Sequence, residues 1–263
     1  MFHILKSYLK FILNSTNEHG VHSPFVFDLV TKCFYDKTNY LEYSILKKYR
    51  KSLLVNETII EVTDFGAGSR VFNSNQRKVS AIAKNAGISP KRAELLFRIT
   101  NYFQPESILE IGTSLGLATI ALSLGNKCRS LETKVITLEG CTQTITIAKK
   151  QCQLKNLNNI EFVNTKFEDY LKINYQQPRT YNLIYFDGNH SKMATLDYFN
   201  LLIPSVTNDS VWIFDDIHWS KDMEEAWEII RNHPKVSVTI DTFQWGMVFF
   251  RKEQEKEHFV IRV

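Results

Sequence analysis

The chain has 263 residues, of which 44% are hydrophobic and 23% charged, and its formal net charge is +4. This length and apolar content allow one large core with an extension, and 10 glycines and 6 prolines are too few for a collagen-like or disordered chain. The positive charge is spread along the sequence instead of forming a basic stripe, so we expect no nucleic-acid partner.

The N terminus predicts an amphipathic helix. Four apolar residues fall on one helical face, namely Phe2, Leu5, Leu9 and Ile12. Lys6 and Lys10 interrupt the apolar run and no small-residue cleavage site follows, so we expect neither a signal peptide nor a transmembrane segment. We expect this face to pack on the domain, although it would also suit a membrane surface or a homodimer contact.

The cysteines indicate a reducing compartment. Cys33, Cys128, Cys141 and Cys152 show neither a CxxC pair nor the spacing of zinc ligands. Buried thiols of this kind are typical of proteins in reducing surroundings. We therefore expect a cytoplasmic protein.

Residues 1–80 do not show the strand and helix alternation of the remainder. They contain helical stretches, the loop HGVHSPF at 19–25 and the glycine-rich loop VTDFGAGSR at 62–70. We expect residues 1–80 to form an N-terminal cap on the substrate side of a second domain, which spans residues 81–263.

From residue 81 onward helices and strands alternate, and Ser89 with Pro90 predicts the start of a helix over 89–103. Further helices are predicted over 117–124, 144–157, 193–204 and 221–233, and strands over 107–112, 134–140, 160–165, 181–188 and 210–216, before a hairpin over 236–252. Helical crossovers between nearly continuous apolar strands predict an α/β fold. We expect a Rossmann-like, doubly wound, seven-stranded sheet that is mostly parallel, with an antiparallel strand from the C-terminal hairpin.

Ligands bind such sheets beyond the carboxyl ends of the strands, and two of these ends suggest a nucleotide. In ILEIGTSLG (108–116), Gly112 and Gly116 let the backbone approach a ligand at the start of a helix. The spacing is not GxGxxG, which argues against a dinucleotide. Glu139 closes the next strand, where a carboxylate can accept hydrogen bonds from ribose hydroxyls. Glu110 lies where its carboxylate could face the ammonium of a ligand.

Acidic residues follow two later strands. Asp187 ends one of them, and Asp215 with Asp216 ends the next. Three carboxylates at one rim of a parallel sheet repel each other unless a cation neutralises them. Oxygen ligands suit Mg²⁺ or Ca²⁺, and Mg²⁺ would leave room for a substrate oxygen. In the alternative interpretation, one acid of the pair caps the helix that begins near Ser220.

The ordered set of motifs resembles the class I S-adenosylmethionine-dependent methyltransferases. It is most similar to the catechol and caffeoyl-CoA O-methyltransferase group. The motifs are ExGTSxG at 110–116, the acid that closes the second strand, FDGNH at 186–190 and FDD at 214–216. The resemblance covers about residues 81–252 and the terminal hairpin.

The resemblance implies which residues bind S-adenosyl-L-methionine. The loop 112–116 would hold the methionine part, Glu139 the ribose, and Lys166, Phe167 or Glu168 the adenine. The candidate cofactor residues are Glu110, Gly112, Thr113, Ser114, Gly116, Glu139, Gly140, Lys166, Phe167 and Asp187. Asn164 departs from the family, which often has glycine there, so the adenine contacts are the least defined.

The resemblance also implies the chemistry. Asp187, Asp215 and Asp216 match the positions that hold a divalent ion, expected to be Mg²⁺, in the similar enzymes. A substrate hydroxyl on that ion would have a lowered pKa. His190 stands where those enzymes have a catalytic lysine and could take the proton, because imidazole titrates near neutral pH. Asp187 and His190 are therefore the catalytic candidates. Alignment of the acceptor with the methyl donor would supply the main rate enhancement.

The expected acceptor is a small molecule with a hydroxyl group. His218 and Trp219 could line its pocket, and Arg70 could reach it from the loop 62–70, where a basic side chain would suit an acidic acceptor. That loop, with Asp64 before two glycines, also resembles a nucleotide loop, but no second strand with a terminal acid follows it. A turn in which Asp64 pairs with Arg70 is the structural alternative.

Other functions remain open at this point. The chain could be a non-catalytic S-adenosylmethionine-binding scaffold, or a metal-dependent hydrolase that uses Asp187, Asp215 and Asp216. A dehydrogenase is disfavoured by the glycine spacing. Fold alone does not fix the acceptor, so N- and C-methylation also stay open.

Overall fold

The structure is a computed structural model that describes residues 2–66, 68, 71–126 and 134–263. Its helices are α1 (Phe2–Asn14), α2 (Pro24–Leu29), α3 (Glu42–Leu54), α4 (Val79–Asn85), α5 (Pro90–Phe103), α6 (Leu117–Gly125), α7 (Thr142–Leu154), α8 (Phe167–Gln176), α9 (Lys192–Leu202) and α10 (Lys221–Asn232). Its strands are β1 (Ile59–Glu61), β2 (Gln76–Lys78), β3 (Ser107–Ile111), β4 (Lys134–Glu139), β5 (Ile160–Asn164), β6 (Leu183–Phe186), β7 (Val211–Asp215), β8 (Val238–Asp241), β9 (Trp245–Phe249) and β10 (Glu257–Val260). Short turns of other helix types span Glu18–Gly20, Val30–Phe34 and Ile203–Ser205.

The chain divides into two compact units. The central unit is Asp36–Phe167, and the terminal unit combines Met1–Tyr35 with Glu168–Val263. The predicted boundary at residue 80 stays a prediction.

The central unit is built on three parallel strands. β3 pairs with β4, and β4 pairs with β5. The strands β3 and β4 carry apolar residues on both faces, and helix α6 is buried along its whole length, which is typical of a sheet covered by helices. Helix α5 begins as predicted, with the Ser89 hydroxyl 3.4 Å from the backbone N–H of Arg92. β1 and β2 form a separate antiparallel hairpin.

The terminal unit contains the remaining five strands. β6 and β7 are parallel, β9 is antiparallel to both β7 and β8, and β10 runs parallel to β8. Its core is aromatic: Trp212, Trp245, Tyr185, Phe214 and Phe249 are all less than 2% exposed. Burying side chains of this size is worth about 1.5–3 kcal/mol each, so these rings dominate the stability of the unit.

The α/β class, the mostly parallel pairing and the C-terminal hairpin confirm the predicted fold. From residue 81 onward two elements were not predicted, helix α8 and strand β10, so this part of the chain has eight described strands where seven were expected. None of the described helices is long and apolar enough to cross a membrane.

Helix α1 exposes the face that was expected to pack. Leu5 and Leu9 are each 56% exposed, whereas Ser7 and Phe11 are buried. The packing is aromatic, since the Phe11 ring lies 5.5 Å from the ring of Phe243. The apolar stripe that contains Leu5 and Leu9 therefore lies on the side of α1 opposite to the packed side.

Candidate active site

The turn between β3 and α6 has the tight geometry that its glycines suggest. Gly112, Ser114 and Gly116 all have positive φ, at 111°, 47° and 76°. The backbone N–H groups of Gly112 and Thr113 each donate to the Leu138 carbonyl at 3.0 Å, which ties the turn to β4. A Cβ at position 116 would lie 3.0 Å from Cβ of Ala148, so only glycine fits the left-handed backbone at this close approach.

Glu139 lies at the end of β4, directly beside this turn. Its Oε2 accepts the backbone N–H of Ser114 and its Oε1 that of Cys141, both at 2.8 Å. Burial raises the pKa of Glu139, the backbone N–H donors oppose that shift, and the charge of Asp64 adds to it. Each carboxylate oxygen has a second lone pair, so the fixed carboxylate can still accept hydrogen bonds from two neighbouring hydroxyls.

Glu110 is completely buried under the same turn. Its Oε2 accepts hydrogen bonds from the hydroxyls of Thr119 at 2.6 Å and Thr137 at 2.5 Å, and the Thr137 hydroxyl also lies 2.5 Å from that of Thr113. Burial raises the pKa of Glu110 to about 8, against the hydrogen bonds of the two threonines and with the help of the Glu139 charge. Its Oε1 has no hydrogen-bond partner within the described residues. This network supports the turn from below.

Asn164 holds the turn after β4 in place. Its Nδ2 donates to the carbonyl of Glu139 at 2.7 Å, and its Oδ1 accepts the Thr142 hydroxyl at 2.8 Å. This positioning role was not predicted, because it depends on a contact between two parallel strands. Lys166, expected near adenine, is exposed and lies two residues after β5, and Phe167 begins α8.

The glycine-rich loop lies beside Glu139 within the central unit. The side chain of Phe65 packs on Gly140, and the ammonium of Lys166 lies 5.5 Å from the centre of the Phe65 ring. The Asp64 carboxylate accepts the Gly66 N–H at 3.0 Å and lies 3.7 Å from the guanidinium of Arg77. Arg70, predicted to reach the acceptor and to pair with Asp64 in the alternative, lies outside the described residues.

In the terminal unit, the loop after β6 brings together the two predicted catalytic residues. Nε2 of His190 lies 3.7 Å from Oδ1 of Asp187, and both side chains are partly exposed. Asn189 between them has a positive φ of 51°, and its Nδ2 lies 3.5 Å from the Tyr198 hydroxyl. Ser191 then caps α9 with its hydroxyl, 3.4 Å from the Ala194 N–H. The bend turns His190 back towards the end of β6.

The predicted metal ligands follow two neighbouring parallel strands. Asp187 comes after β6, and Asp215 is the last residue of β7, with its side chain buried. Oδ1 of Asp215 accepts the backbone N–H of Asp216 at 2.9 Å, and Asp216 leaves the strand with a φ of 53°. In the part of the chain that the structure describes, no three His, Cys, Asp or Glu side chains form a group that could hold a metal ion. The geometry therefore does not fit a protein site with three ligands.

The two acids do not cap helix α10, because Ser220 does so. Its hydroxyl lies 3.2 Å from the Met223 N–H. The backbone N–H of Trp219 donates to the Asp216 carbonyl at 2.9 Å, which closes the turn before the helix.

His218 is held between two carboxylates that were not predicted to contact it. Its Nδ1 lies 2.7 Å from Oε1 of Glu224, and its Nε2 lies 2.9 Å from Oδ2 of Asp241. The ring also stacks on Phe243 at 5.2 Å. Burial lowers the pKa of His218, but the hydrogen bonds and charges of Asp241 and Glu224 outweigh burial and raise it. His218 thus links α10 to β8.

Part of the chain matches a known protein family. Residues 109–217 match the family described as a methyltransferase domain, a segment that runs from β3 to the turn after β7. No curated protein sequence matches the chain.

Solved structures with the same fold cover most of the chain. An O-methyltransferase from Bacillus cereus, in complex with SAH, has a TM-score of 0.57 and 18% identity, over 83% of this chain and 94% of that one. The SAH-bound methyltransferase of Podospora anserina has a TM-score of 0.60 and 11% identity, over 88% and 97% of the two chains. The O-methyltransferase TomG from Streptomyces achromogenes, in complex with SAM, has a TM-score of 0.53 and 15% identity, over 64% and 82%. The predicted resemblance to methyltransferases is confirmed at the level of fold.

Proposed function

We propose that this protein is an S-adenosylmethionine-dependent methyltransferase that acts on a hydroxyl oxygen of a small molecule. The observation that carries the proposal is Glu139, fixed by two backbone N–H groups beside the turn 112–116, in a chain with a methyltransferase fold. The similar structures support oxygen as the acceptor atom, because two of them are O-methyltransferases with SAH or SAM bound.

The cofactor would be held by the central unit. Both oxygens of Glu139 can accept hydrogen bonds from the ribose hydroxyls while they keep their backbone donors. The first backbone N–H groups of α6, which have no partner within the helix itself, would be available to the carboxylate of the methionine part. Bound S-adenosylmethionine supplies a methyl group already activated on sulfonium, so the chain has to orient it and exclude water.

The acceptor chemistry would use the loop after β6. His190 can accept the hydroxyl proton on its imidazole ring, whose Nε2 lies 3.7 Å from Oδ1 of Asp187. Bound S-adenosylmethionine would supply the methyl group to the acceptor oxygen, and S-adenosylhomocysteine would be the second product. His218 and Trp219 remain candidate acceptor contacts.

The metal, the cellular location and the partners of the protein are further predictions that accompany this proposal. Mg²⁺ as a second cofactor stays a prediction that the geometry does not support, because Asp187, Asp215 and Asp216 form no group of three ligands in the described part of the chain, and no step is assigned to it. Cytoplasmic location, an acidic acceptor, and a membrane or homodimer contact through α1 are predictions too. The stripe of Leu5, Leu9 and Leu13, which are 56%, 56% and 85% exposed, supports the surface contact.

Transfer of a labelled methyl group tests the proposal. Purified protein is incubated with methyl-labelled S-adenosylmethionine and a panel of catechols, phenols and hydroxy acids, each beside the matching amine. We expect labelled product from one or more hydroxyl compounds and not from their amine counterparts. Transfer to amines only would contradict the oxygen acceptor, and cofactor binding without any transfer would favour the scaffold alternative. Parallel reactions with EDTA and with Mg²⁺ test whether methyl transfer requires a divalent metal ion.

The variant His190→Gln tests the proton acceptor. We expect kcat to fall by about 10²–10⁴-fold, because a positioned general base contributes that factor, while the affinity for S-adenosylhomocysteine is unchanged. His258→Gln is the matched control, because His258 lies on β10 and bonds Thr239 at 2.8 Å. An unchanged kcat in His190→Gln would remove His190 from the mechanism.

A further inference from the structure

Phe65 takes the place that a side chain at position 140 would fill. Gly140 follows Glu139 at the end of β4, and a Cβ added there would lie 2.6 Å from Cδ2 and 2.8 Å from Cε2 of Phe65. Gly140 itself offers no side chain to a ligand beside Glu139. The apolar surface next to this carboxylate is therefore supplied by the distant loop 62–66.

Two contacts anchor the β1–β2 hairpin on the segment after β4, and a third closes the base of its loop. The backbone N–H of Glu61 donates to Oε1 of Gln143 at 3.1 Å, and Sγ of Cys141 lies 3.7 Å from the Glu61 carbonyl. The Val62 N–H donates to the Asn75 carbonyl at 2.8 Å and closes the base of the loop. Cys141 also donates its N–H to Glu139, so one residue links the hairpin to the candidate ribose carboxylate.

The Phe65 ring keeps an open side. The residue is 47% exposed although its ring edge packs on Gly140. An aromatic ring with one side packed and another open, within reach of a carboxylate suited to ribose, has the arrangement of a stacking surface for a flat base. Lys166 adds a cation 5.5 Å from the centre of the ring.

We propose that Phe65 is the stacking wall for the nucleobase and positions the adenine of the cofactor beside Glu139. This inference rests on the proposed function, because it assumes that the ligand at Glu139 is an adenine nucleoside. It gives the loop 62–66 a role in cofactor recognition, whereas the sequence favoured a cap loop near the acceptor over a nucleotide-binding loop for this segment.

Calorimetric titration with two ligands tests the inference. S-adenosylhomocysteine and methylthioadenosine share the nucleobase and differ in the amino-acid part. We expect Phe65→Ala to weaken binding of both by about tenfold, since stacking on an aromatic side chain is lost, and Phe65→Tyr to bind both as the wild type does. A loss for S-adenosylhomocysteine alone would overturn the proposal, because it would place Phe65 at the amino-acid part. Tighter binding by Phe65→Ala would overturn it too, because the ring would then obstruct the site.

A second variant separates stacking from general disturbance of the loop. Gly140→Ala places a methyl group against the Phe65 ring, so we expect weaker binding in the wild-type background and no further loss in the Phe65→Ala background. Phe72→Ala is the control in the same connection between β1 and β2, because the Phe72 ring lies 4.8 Å from the guanidinium carbon of Arg77. Equal losses in Phe72→Ala and Phe65→Ala would contradict a stacking role.

Failure of the proposed function and failure of the Phe65 proposal would give different results. If the wild type binds neither ligand, the proposed function is wrong and the inference falls with it. If the wild type binds both ligands and Phe65→Ala binds them equally well, the proposed function stands and the inference is wrong. Thermal melting of each variant without ligand shows whether the hairpin variants remain folded.

Discussion

The position of Glu110 follows from the local sequence pattern, but its hydrogen-bond partners come from other elements of the fold. Its position at the end of a buried strand predicted an acid near the ligand, and the structure places it under the glycine turn. The hydrogen bonds from Thr119 and Thr137 were not predictable, because these threonines lie on α6 and β4. They allow a carboxyl group to be fully buried, which otherwise costs several kcal/mol for a charged group.

The raised pKa of Glu110 predicts a pH-dependent stability. The carboxyl group is protonated in both states below its ordinary value of 4.5, and in the folded protein it keeps its proton up to about 8. Between these values only the unfolded chain releases the proton, so the free energy of unfolding falls as pH rises, by about 1.4 kcal/mol per pH unit. Above the folded pKa the loss is constant.

The variant Glu110→Gln should lack this dependence. Urea unfolding of both proteins from about pH 5 to about pH 8 should show the wild type losing stability relative to the variant, with the slope given by linkage. Parallel stability curves over this range would contradict the raised pKa.

At the scale of elements, His218 joins three segments of the terminal unit. It bonds Glu224 on α10 and Asp241 on β8, and Oε2 of Glu224 lies 3.5 Å from Nε2 of His3 on α1. The pKa of His218 is raised, so the charged ring stabilises the folded state below its unfolded value of about 6.5. That stabilisation is lost as pH rises through the folded value.

The variant His218→Gln isolates this contribution. We expect it to cost about 1–3 kcal/mol at pH 6, where charge-assisted hydrogen bonds are lost, and less at about pH 9. Chemical unfolding at the two pH values measures the difference. A cost that is equal at both, or larger at high pH, would mean that the ring is neutral in the folded protein.

The elements that sequence predicted well are those whose pattern is local. β3, β4, β6 and β7 are nearly continuous apolar runs, and helix α5 has its serine cap and proline in order. Helix α8 was missed because its only buried residues are Leu171 and Asn174, so the apolar spacing is weak. β10 was missed because a short, half-exposed strand is defined by its pairing with β8 and not by its own sequence.

For the candidate site too, local sequence patterns could be predicted and long-range contacts could not. Gly112 follows β3 and Glu139 ends β4, so position and chemistry alone predicted them as candidate cofactor residues. Phe65 could not be found, because its role depends on a contact with Gly140, 75 positions further along the chain. Periodicity predicted the wrong packing face for α1. Tyr8 and Phe11 instead pack against the ring of Phe243 in the terminal unit.

At the scale of the whole molecule, the proposal predicts stabilisation by the cofactor product. A ligand that binds only the folded chain raises its stability by mass action, by about 2.7 kcal/mol at a concentration 100 times Kd. S-adenosylhomocysteine should therefore raise the Tm in a concentration-dependent way. Adenosine without the amino-acid part should raise it less at equal concentration, and a Tm that is independent of both would contradict nucleoside binding.

The central claim is that Glu139 holds the nucleoside part of S-adenosylmethionine. Calorimetric titration of S-adenosylhomocysteine into the wild type, Glu139→Gln and Glu161→Gln tests it most directly, because Glu161 is an exposed carboxylate on neighbouring β5. The account predicts saturable binding by the wild type and Glu161→Gln, and affinity at least about tenfold lower for Glu139→Gln, since hydrogen bonds to a charged acceptor are lost. No binding by the wild type, or equal affinity in all three proteins, would contradict it.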